Sequence, residues 1–383
     1  MNEVATTKRG GVSGLLGNID WLLFIPAIIV YLFGLLTMNS FGDDNRFFDH
    51  QVIWGVVGVV IFFVLSLVDF RFLRRTKVLV TLFVITVTIL ASLFLIGSVF
   101  KGARSWFNLG FFAIQPSDPS QLILILILAK YFSRRHIEIA NIRHIIVSGI
   151  YAFIIFFLVL IQPDFGSAII IFFIWLGMVL VAGISKKHLL LVFGVGVASF
   201  VLLWTSVFAN YQKQRIMTFM HPLSDIRGAG YNAYQSTVAV GSGEAHGKGI
   251  GYGTQSRLGF LPEHETDFIF ASFAEENGFL GVVILISLFS LIFYRILSNA
   301  FYGETNFEVL FGAGVFIFLF CHFIVHIGMN IGLLPVTGKT LPFMSYGGSH
   351  LVTEFAGLGI LMGMRRYSRR THREDSRNEF LGI

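Results

Sequence analysis

An aspartate at the end of a long polar stretch is the first residue in this sequence that could do chemistry. Glycines punctuate residues 247–253, and Asp267 stands directly before the apolar run that begins at Phe268. An ionisable side chain at the edge of a membrane-length apolar run is costly to bury, which makes it a candidate functional residue. A carboxylate held within reach of a hydroxyl can act as its general base. A second interpretation stays open, in which Asp267 only caps the following helix.

Other ionisable residues lie inside apolar runs. Glu275 and Glu276 are predicted about 12 to 14 Å deeper along the same helix, at about 1.5 Å per residue. We expect them to have structural partners, such as an interior Arg or His, rather than a catalytic role. His322 and His326 share one helix face, a spacing compatible with a metal site, although no carboxylate lies between them. We favour structural hydrogen bonds for both, and we expect Glu354 to pair with one of them.

An aromatic residue and a cation lie close together in residues 101–110, between two apolar runs. Trp106 on its own favours an interfacial aromatic anchor. The alternative is a platform for a sugar ring, beside an Arg104 guanidinium that meets a phosphate.

Prolines and glycines in residues 332–349 predict non-helical backbone at the membrane surface. Such backbone is tolerated only where it lines a cavity or is covered by protein. Lys339 and the N–H groups of Gly347 and Gly348 are candidate anion ligands, and a capped re-entrant turn is the open alternative.

The composition sets the class of protein that must hold these residues. Hydrophobic residues make up 55% of the 383 and charged residues only 13%, with a mean hydropathy of +0.75, so a soluble globular domain is excluded. The net charge of +6 comes from short Lys and Arg blocks between apolar runs, so nucleic-acid binding is not expected. The single cysteine, Cys321, excludes a disulfide framework and a thiolate metal cluster.

The apolar runs predict an all-α polytopic membrane protein. With about 20 residues per span, we expect ten transmembrane helices, near 21–39, 51–69, 78–98, 119–132, 144–162, 167–184, 188–208, 267–295, 307–332 and 349–364. The positive blocks all fall on one side if both termini are cytoplasmic. The outer connections are then 40–50, 99–118, 162–166, 209–266 and 333–348. One domain over 1–383 is expected, with a cytoplasmic segment 1–19, an ordered outer loop 209–266 and a cytoplasmic tail 368–383.

Several motifs in the same order resemble the SEDS family of shape, elongation, division and sporulation proteins (RodA, FtsW and SpoVE). The motifs are Gln-Pro-Asp-Phe-Gly at 162–166, Gly-Thr-Gln-Ser at 253–256, Phe-Leu-Pro-Glu at 260–263 with Thr-Asp-Phe-Ile-Phe at 266–270, Leu-Pro-Val-Thr-Gly at 334–338 and Ser-Tyr-Gly-Gly-Ser at 345–349. The resemblance covers about residues 20 to 367, and it is greatest to the RodA branch.

The resemblance implies a glycosyltransferase of the bacterial cytoplasmic (inner) membrane. It would polymerise lipid II into peptidoglycan strands for cell-wall elongation and rod shape, beside a class B penicillin-binding protein in the elongation machinery. The family's essential aspartate matches Asp267, as base on the acceptor hydroxyl, and Trp106 matches its tryptophan. The expected substrate-binding residues are Trp106, Arg104, Lys339, Arg215, Lys248, Arg257, Glu263, Ser345, Gly347 and Gly348. No carboxylate cluster marks a metal, so no cofactor is assigned and a divalent cation is left open.

The sequence departs from the family pattern at four positions. Where the family commonly has Gln-Pro-Ser-Glu and then Lys three residues later, this chain has Asp118 and Gln121. Glu244 replaces a glycine and His350 replaces a serine. Another cation, such as Lys339 or Lys130, is then needed beside Asp267, and reduced activity is left open.

Two other functions remain as alternatives at this point. A lipid II flippase is one, although transporters place polar groups and broken helices near the membrane midplane, whereas these motifs gather at one face. A non-catalytic scaffold that activates a partner transpeptidase is the other, and the Gln121 departure motivates it.

Overall fold

Helices form most of the described chain in the computed structural model, which describes residues 19–41, 46–100, 103–108, 110, 113–133, 142–206, 208, 210–221 and 230–381. The helices are α1 (Trp21–Asn39), α2 (Arg46–Leu67), α3 (Thr76–Ile96), α4 (Ser117–Ser133), α5 (Ile142–Ile161), α6 (Phe165–Ala182), α7 (Lys186–Ser206), α8 (Asn210–Met220), α9 (Tyr231–Ser242), α10 (Thr254–Arg257), α11 (Ile269–Phe301), α12 (Asn306–Asn330) and α13 (Gly348–Leu381). A short 3-10 turn spans Phe70–Arg74.

The predicted membrane spans each coincide with a helix. Eight helices in the described part of the chain are long and apolar enough to cross a membrane: α1, α2, α3, α5, α6, α7, α11 and α12. The other two predicted spans fall on α4, which has 17 residues, and on the first half of α13, which continues as a helix through the predicted tail to Leu381. The polytopic membrane fold is therefore confirmed.

Small residues let α13 lie close against α2 in the core. A side chain at Gly58 would place its Cβ 2.6 Å from the Phe355 ring, and one at Gly359 would lie 2.9 Å from the Phe62 carbonyl oxygen. Phe62 and Phe355 are fully buried there. Close packing of this kind holds helices together in a membrane, where the hydrophobic effect between helices is weak.

Contacts at the two ends of the bundle match the predicted alternation of sides. The Gln51 amide donates to the Ser345 carbonyl at 3.0 Å, and the Gln115 amide donates to Asp164 at 2.7 Å. Each contact joins two segments that were predicted to reach the outer side, and both contacts lie at one end of the bundle. At the other end, Arg295 and Arg365 bind Asp20, and Arg74 binds Glu308. The assignment of one end of the bundle to the cytoplasm follows from the positive blocks, and this orientation stays a prediction.

Helix α11 is broken at Gly278, which corrects the predicted depth of the two glutamates. Gly278 has φ 63° and ψ −167°, and the backbone groups freed by the break pair with the preceding outer loop. N–H groups of Lys248 and Gly249 donate to the Glu275 and Glu276 carbonyls at 2.9 Å each. The Phe279 N–H donates to the carbonyl of Glu244, whose φ of 47° explains why a glycine suits that position.

The two glutamates lie at the level of the outer surface rather than 12 to 14 Å below it. Glu276 accepts a hydrogen bond at 2.5 Å from Ser40, just past the outer end of α1, while Arg295 binds Asp20 at the inner end of α1. The segment from 278 to 295 alone therefore covers the span, about 25 Å at 1.5 Å per residue. The first part of α11 precedes the membrane crossing.

The outer connection 99–118 contains a small antiparallel sheet, which an all-α prediction did not include. Strands β1 (Ser98–Phe100), β2 (Ala103–Asn108) and β3 (Ala113–Ile114) lie in that order, with Ser98 opposite Trp106 and Phe107 opposite Ile114. The sheet fixes Trp106 on its central strand. The long outer loop is ordered as predicted, since it contains α8, α9 and α10.

The network around Asp20 generates a stability prediction. Burial alone would raise the pKa of Asp20, but hydrogen bonds from Asn299 and Arg295 and the charge of Arg365 outweigh burial and lower it. A lowered carboxyl pKa stabilises the folded state above the unfolded value of about 3.9, and that contribution is lost as the pH falls.

We therefore expect Asp20→Asn to lower the unfolding temperature at pH 7, with the difference from wild type shrinking below about pH 4. Thermal unfolding in detergent between pH 3.5 and 8 measures this. Asp69→Asn is the matched control, because the Asp69 carboxylate is 59% exposed and pairs with the exposed Arg71 at 3.3 Å. A constant difference across this pH range would contradict the charge argument.

Candidate functional site

A cavity of about 670 Å³ lies at the outer end of the bundle. Its volume falls within the range of small-molecule sites, roughly 300 to 1,000 Å³. All five predicted outer connections contribute to its wall: Phe47, Trp106, Asp164, Arg215, Glu263, Asp267, Lys339 and Gly347 are among the lining residues. Asp267 therefore faces a cavity shared with Trp106 and Lys339, as the sequence interpretation required.

A tight turn that starts at Glu263 holds the backbone of Asp267. The Glu263 carbonyl accepts hydrogen bonds from three successive N–H groups, those of Thr266, Asp267 and Phe268, at 3.0 to 3.2 Å. Glu263 itself has φ 55°, an uncommon conformation for a residue with a side chain. Its carboxylate also accepts from the Thr266 hydroxyl at 3.2 Å. Glu263 thus lines the cavity and shapes the turn that carries Asp267.

Asp267 does not lie in the first turn of the helix, which corrects the capping interpretation. Helix α11 begins at Ile269, and Phe268 occupies the N-cap position without a side-chain cap. Asn330, fully buried at the end of α12, donates to the Asp267 carbonyl at 3.0 Å and accepts from the Ala271 N–H at 3.2 Å. Sequence reasoning missed Asn330; the only available signal was an amide at the end of an apolar helix.

Residues 337–349 form the wall opposite the Glu263 turn and bind it directly. The Tyr346 N–H donates to the Glu265 carbonyl at 2.9 Å, and the Ser345 hydroxyl donates to the Thr266 carbonyl at 2.8 Å. Ser345 is thus a clamp between the walls and is not among the lining residues.

Burial alone would lower the pKa of His264, but its contact with the Glu265 carboxylate at 3.1 Å outweighs burial and raises it.

The glycines of this wall have steric roles. A Cβ at Gly338 would lie 3.4 Å from Asp267 Oδ2, and Gly338 has φ 70°. A Cβ at Gly348 would overlap the Trp54 ring at 2.1 Å. The Gly347 N–H donates to the Gln51 amide oxygen at 3.3 Å, so the proposed anion ligand is already engaged within the protein. Gly347 and Gly348 still line the cavity.

Lys339 is a buried cation of the cavity wall, with 5% of its surface exposed. Its ammonium donates to the Ser167 hydroxyl at 2.7 Å, and Ser167 donates to Asp164 at 2.6 Å. The His326 Nδ1–H donates to the Lys339 carbonyl at 2.7 Å and so holds the backbone of this lysine. Lys339 and Asp164 are therefore fixed as a linked pair of opposite charges at the cavity.

The other predicted cations divide into two groups. Arg215 of α8 is exposed and lines the cavity. Arg104 belongs to β2, but its side chain lies outside the part of the chain that the structure describes. Lys130 lies near the opposite end of α4, in a separate pocket with Arg74, so it is too far along the helix to act beside Asp267.

Lys248 and Arg257 support the outer loop instead of lining the cavity. The Lys248 ammonium lies 2.6 Å from Glu275, whose carboxylate is fully buried and also accepts from the Thr254 N–H at 2.8 Å. Arg257 donates to the Gly251 carbonyl at 2.9 Å. The structural role expected for Glu275 is found, but its partner is Lys248 rather than an interior Arg or His.

The buried histidines do not form a metal site. His322 Nε2 lies 3.2 Å from the Gln121 amide oxygen, whereas His326 binds the Lys339 carbonyl. Glu354 pairs with His350 at 2.9 Å, so the expectation that it pairs with His322 or His326 was wrong. Within the described residues, no group of three or more His, Cys, Asp or Glu side chains is arranged to hold a metal ion.

The fold and the cavity together define a polytopic membrane protein with a charged site at its outer surface. The chain belongs to the FtsW/RodA/SpoVE family of cell cycle proteins, which matches residues 15–370. It is 36% identical to the peptidoglycan glycosyltransferase MrdB of Escherichia coli K12 over 354 residues, covering 92% of this chain and 93% of the relative. It is 34% identical to stage V sporulation protein E of Bacillus subtilis 168, covering 95% and 100%.

Solved structures agree with this assignment. One component of a peptidoglycan synthase complex that coordinates polymerization and crosslinking matches with a TM-score of 0.80 and 28% identity, covering 91% of this chain and 98% of the other. The Thermus thermophilus rod shape determining protein RodA matches with a TM-score of 0.68 and 27% identity, covering 91% and 96%.

The contact between Lys248 and Glu275 generates a prediction about stability. Lys248→Met leaves the buried Glu275 carboxylate without its cation, so we expect the free energy of unfolding to fall by about 2 kcal/mol. Thermal or denaturant unfolding of the purified protein measures it. Lys187→Met is the control, because Lys187 is exposed. Equal loss in both variants would contradict a structural role specific to Lys248.

Proposed function

We propose that this chain is a peptidoglycan glycosyltransferase of the bacterial cytoplasmic membrane that polymerises lipid II. The observation that carries the proposal is the placement of Asp267 in an outer cavity with Trp106 and the cations Lys339 and Arg215. Lipid II combines a polyprenyl tail, a pyrophosphate and a disaccharide with a pentapeptide, so its site needs apolar surface, cations and a base. The activity named for the Escherichia coli relative supports the same conclusion.

In the proposed reaction, Asp267 is the general base. The acceptor hydroxyl attacks the anomeric carbon of the donor, the bond from that carbon to the pyrophosphate oxygen breaks, and the hydroxyl proton passes to the Asp267 carboxylate. Lys339 and Arg215 stabilise the charge on the departing pyrophosphate. Trp106, fixed on the central strand of the outer sheet, provides a face on which a sugar ring can stack.

A partner that cross-links the new strands follows from the same relationship. The solved neighbour belongs to a complex that couples polymerization with crosslinking, and this chain covers 98% of that component. We therefore infer that a class B penicillin-binding protein works with this chain. The rod shape determining protein among the neighbours supports a role in cell-wall elongation.

Loss of the base is the first test of the mechanism. Asp267→Asn keeps the shape of the side chain and removes its basicity, so we expect polymer formation from labelled lipid II to fall about 10²- to 10⁴-fold. Purified protein with its transpeptidase partner is assayed by gel separation of glycan strands. Asp49→Asn, at an exposed carboxylate that does not line the cavity, is the control.

Polymer made equally well by Asp267→Asn would overturn the base assignment. Wild-type protein that makes no polymer but moves lipid II across a vesicle bilayer would instead favour the flippase. Activation of a partner without polymer or translocation would favour the scaffold.

The contact between Gly338 and Asp267 gives a second test. Gly338→Ala places a methyl group in ordinary van der Waals contact with Asp267 Oδ2, at 3.4 Å, where it shields the carboxylate from the acceptor hydroxyl. It also strains a backbone with φ 70°, so we expect lower polymerisation as well as lower stability. Gly183→Ala is the matched control, since Gly183 has φ 98° and an added Cβ there meets no atom within 4 Å. Both variants are expected to lose about 1 kcal/mol of stability from the strained backbone. Only Gly338→Ala should lose activity beyond that, and equal activity of the two variants would contradict the contact argument.

A further inference from the structure

The ammonium of Lys339 is buried without a carboxylate in direct contact. Its Nζ donates to the Ser167 hydroxyl at 2.7 Å, and among the described residues no carboxylate oxygen lies within 4.0 Å of it. The charge of Lys339 also acts on Asp118, but that carboxylate already binds the Ser349 hydroxyl at 2.5 Å. A buried charge is costly unless an opposite charge compensates it closely. Lys339 is therefore a cation of the cavity wall whose compensation inside the protein is incomplete.

The Ser167 hydroxyl stands between this ammonium and Asp164, a carboxylate that lines the cavity. Ser167 donates its one hydroxyl proton to Asp164 Oδ2 at 2.6 Å, so its oxygen is left to accept from Lys339. Asp164 also accepts from the Ser167 N–H at 3.0 Å and from the Gln115 amide at 2.7 Å, which fixes the carboxylate in place. The hydroxyl thus links the two charges and keeps them apart.

The absence of a side chain at Gly166 gives Lys339 its path across the start of α6. A Cβ at Gly166 would lie 2.5 Å from Lys339 Cδ and 2.8 Å from the Thr337 carbonyl oxygen, so a larger residue would displace the lysine stem. The His326 ring holds the Lys339 carbonyl at 2.7 Å. The backbone, the stem and the ammonium of Lys339 are therefore each fixed by a separate contact.

We propose that Ser167 is a positioning residue that holds the Lys339 ammonium away from Asp164, so that its charge is available to a prenyl pyrophosphate in the cavity. A lysine ammonium has three N–H donors, and Ser167 is its one acceptor within the described part of the chain. A direct ion pair with Asp164 would instead neutralise the cation before a substrate arrives. This inference rests on the proposed function, in which Lys339 stabilises the departing pyrophosphate.

Binding of a prenyl pyrophosphate to the purified full chain tests the inference without catalysis. The probe is farnesyl pyrophosphate, and farnesol is the uncharged control ligand. In Ser167→Ala the ammonium can close on Asp164, so we expect about tenfold weaker binding of the pyrophosphate and unchanged binding of farnesol. Ser167→Thr keeps a hydroxyl and should bind within about threefold of wild type. Ser120→Ala is the matched control, because Ser120 is also fully buried but bonds only a neighbouring carbonyl and does not line the cavity.

A double variant separates this role from a merely structural one. Ser167→Ala with Asp164→Asn removes the negative charge on which the released ammonium would close, and asparagine still caps a helix well. We therefore expect pyrophosphate binding to recover to within about threefold of wild type. A serine that only stabilised the start of α6 would predict the opposite, because a second substitution there would add to the loss.

The rate of lipid II polymerisation gives a second readout. The cation acts on charge that develops as the pyrophosphate departs, so Ser167→Ala should lower kcat about 10- to 100-fold and change KM less. Equal pyrophosphate binding by wild type and Ser167→Ala would overturn the inference, as would a double variant that binds no better than Ser167→Ala. Wild type that binds farnesyl pyrophosphate but makes no polymer would instead overturn the proposed function, while the binding data would still decide the role of Ser167.

Discussion

Non-helical backbone at a membrane surface must find its hydrogen-bond partners within the protein, because lipid provides none. Much of the outer half of this molecule follows from that constraint. The break at Gly278 exposes carbonyls that the outer loop satisfies through Lys248 and Gly249. The Glu263 carbonyl accepts hydrogen bonds from three N–H groups and so forms a tight turn. Ser345 and Tyr346 then donate hydrogen bonds to the backbone of that turn. The cavity is the space left between segments that are tied to one another in this way.

The same constraint explains why a strained residue carries the site. A left-handed conformation at Glu263 costs about 1 to 2 kcal/mol for a residue with a Cβ. Three hydrogen bonds to one carbonyl and a clamp from the opposite wall offset that cost and hold Asp267 at the cavity edge. If Asp267 is the base, as proposed, a carboxylate held by its own backbone can meet an acceptor without reorganising, which is where electrostatic catalysis gains most of its effect.

Apolar periodicity and positive blocks were enough to predict the helices and the alternation of their ends, because those signals come from the bilayer itself. Trp106, Lys339 and Arg215 were predicted to bind substrate; all three line the cavity, and their contact with substrate stays a prediction. The predicted depth of Glu275 and Glu276 in the membrane was wrong, because one glycine with positive φ, Gly278, changes the direction of the helix without changing its apolar pattern.

Long-range partners were the part that sequence could not supply. Lys248 resembled a substrate cation in a glycine-rich loop, yet it neutralises Glu275, 27 residues later and fully buried. The partner of Glu354, by contrast, is local: His350 precedes it by four residues on the same helix α13, an i,i+4 spacing that the sequence itself contains. A charge missing from one helix therefore says little until its surroundings are known.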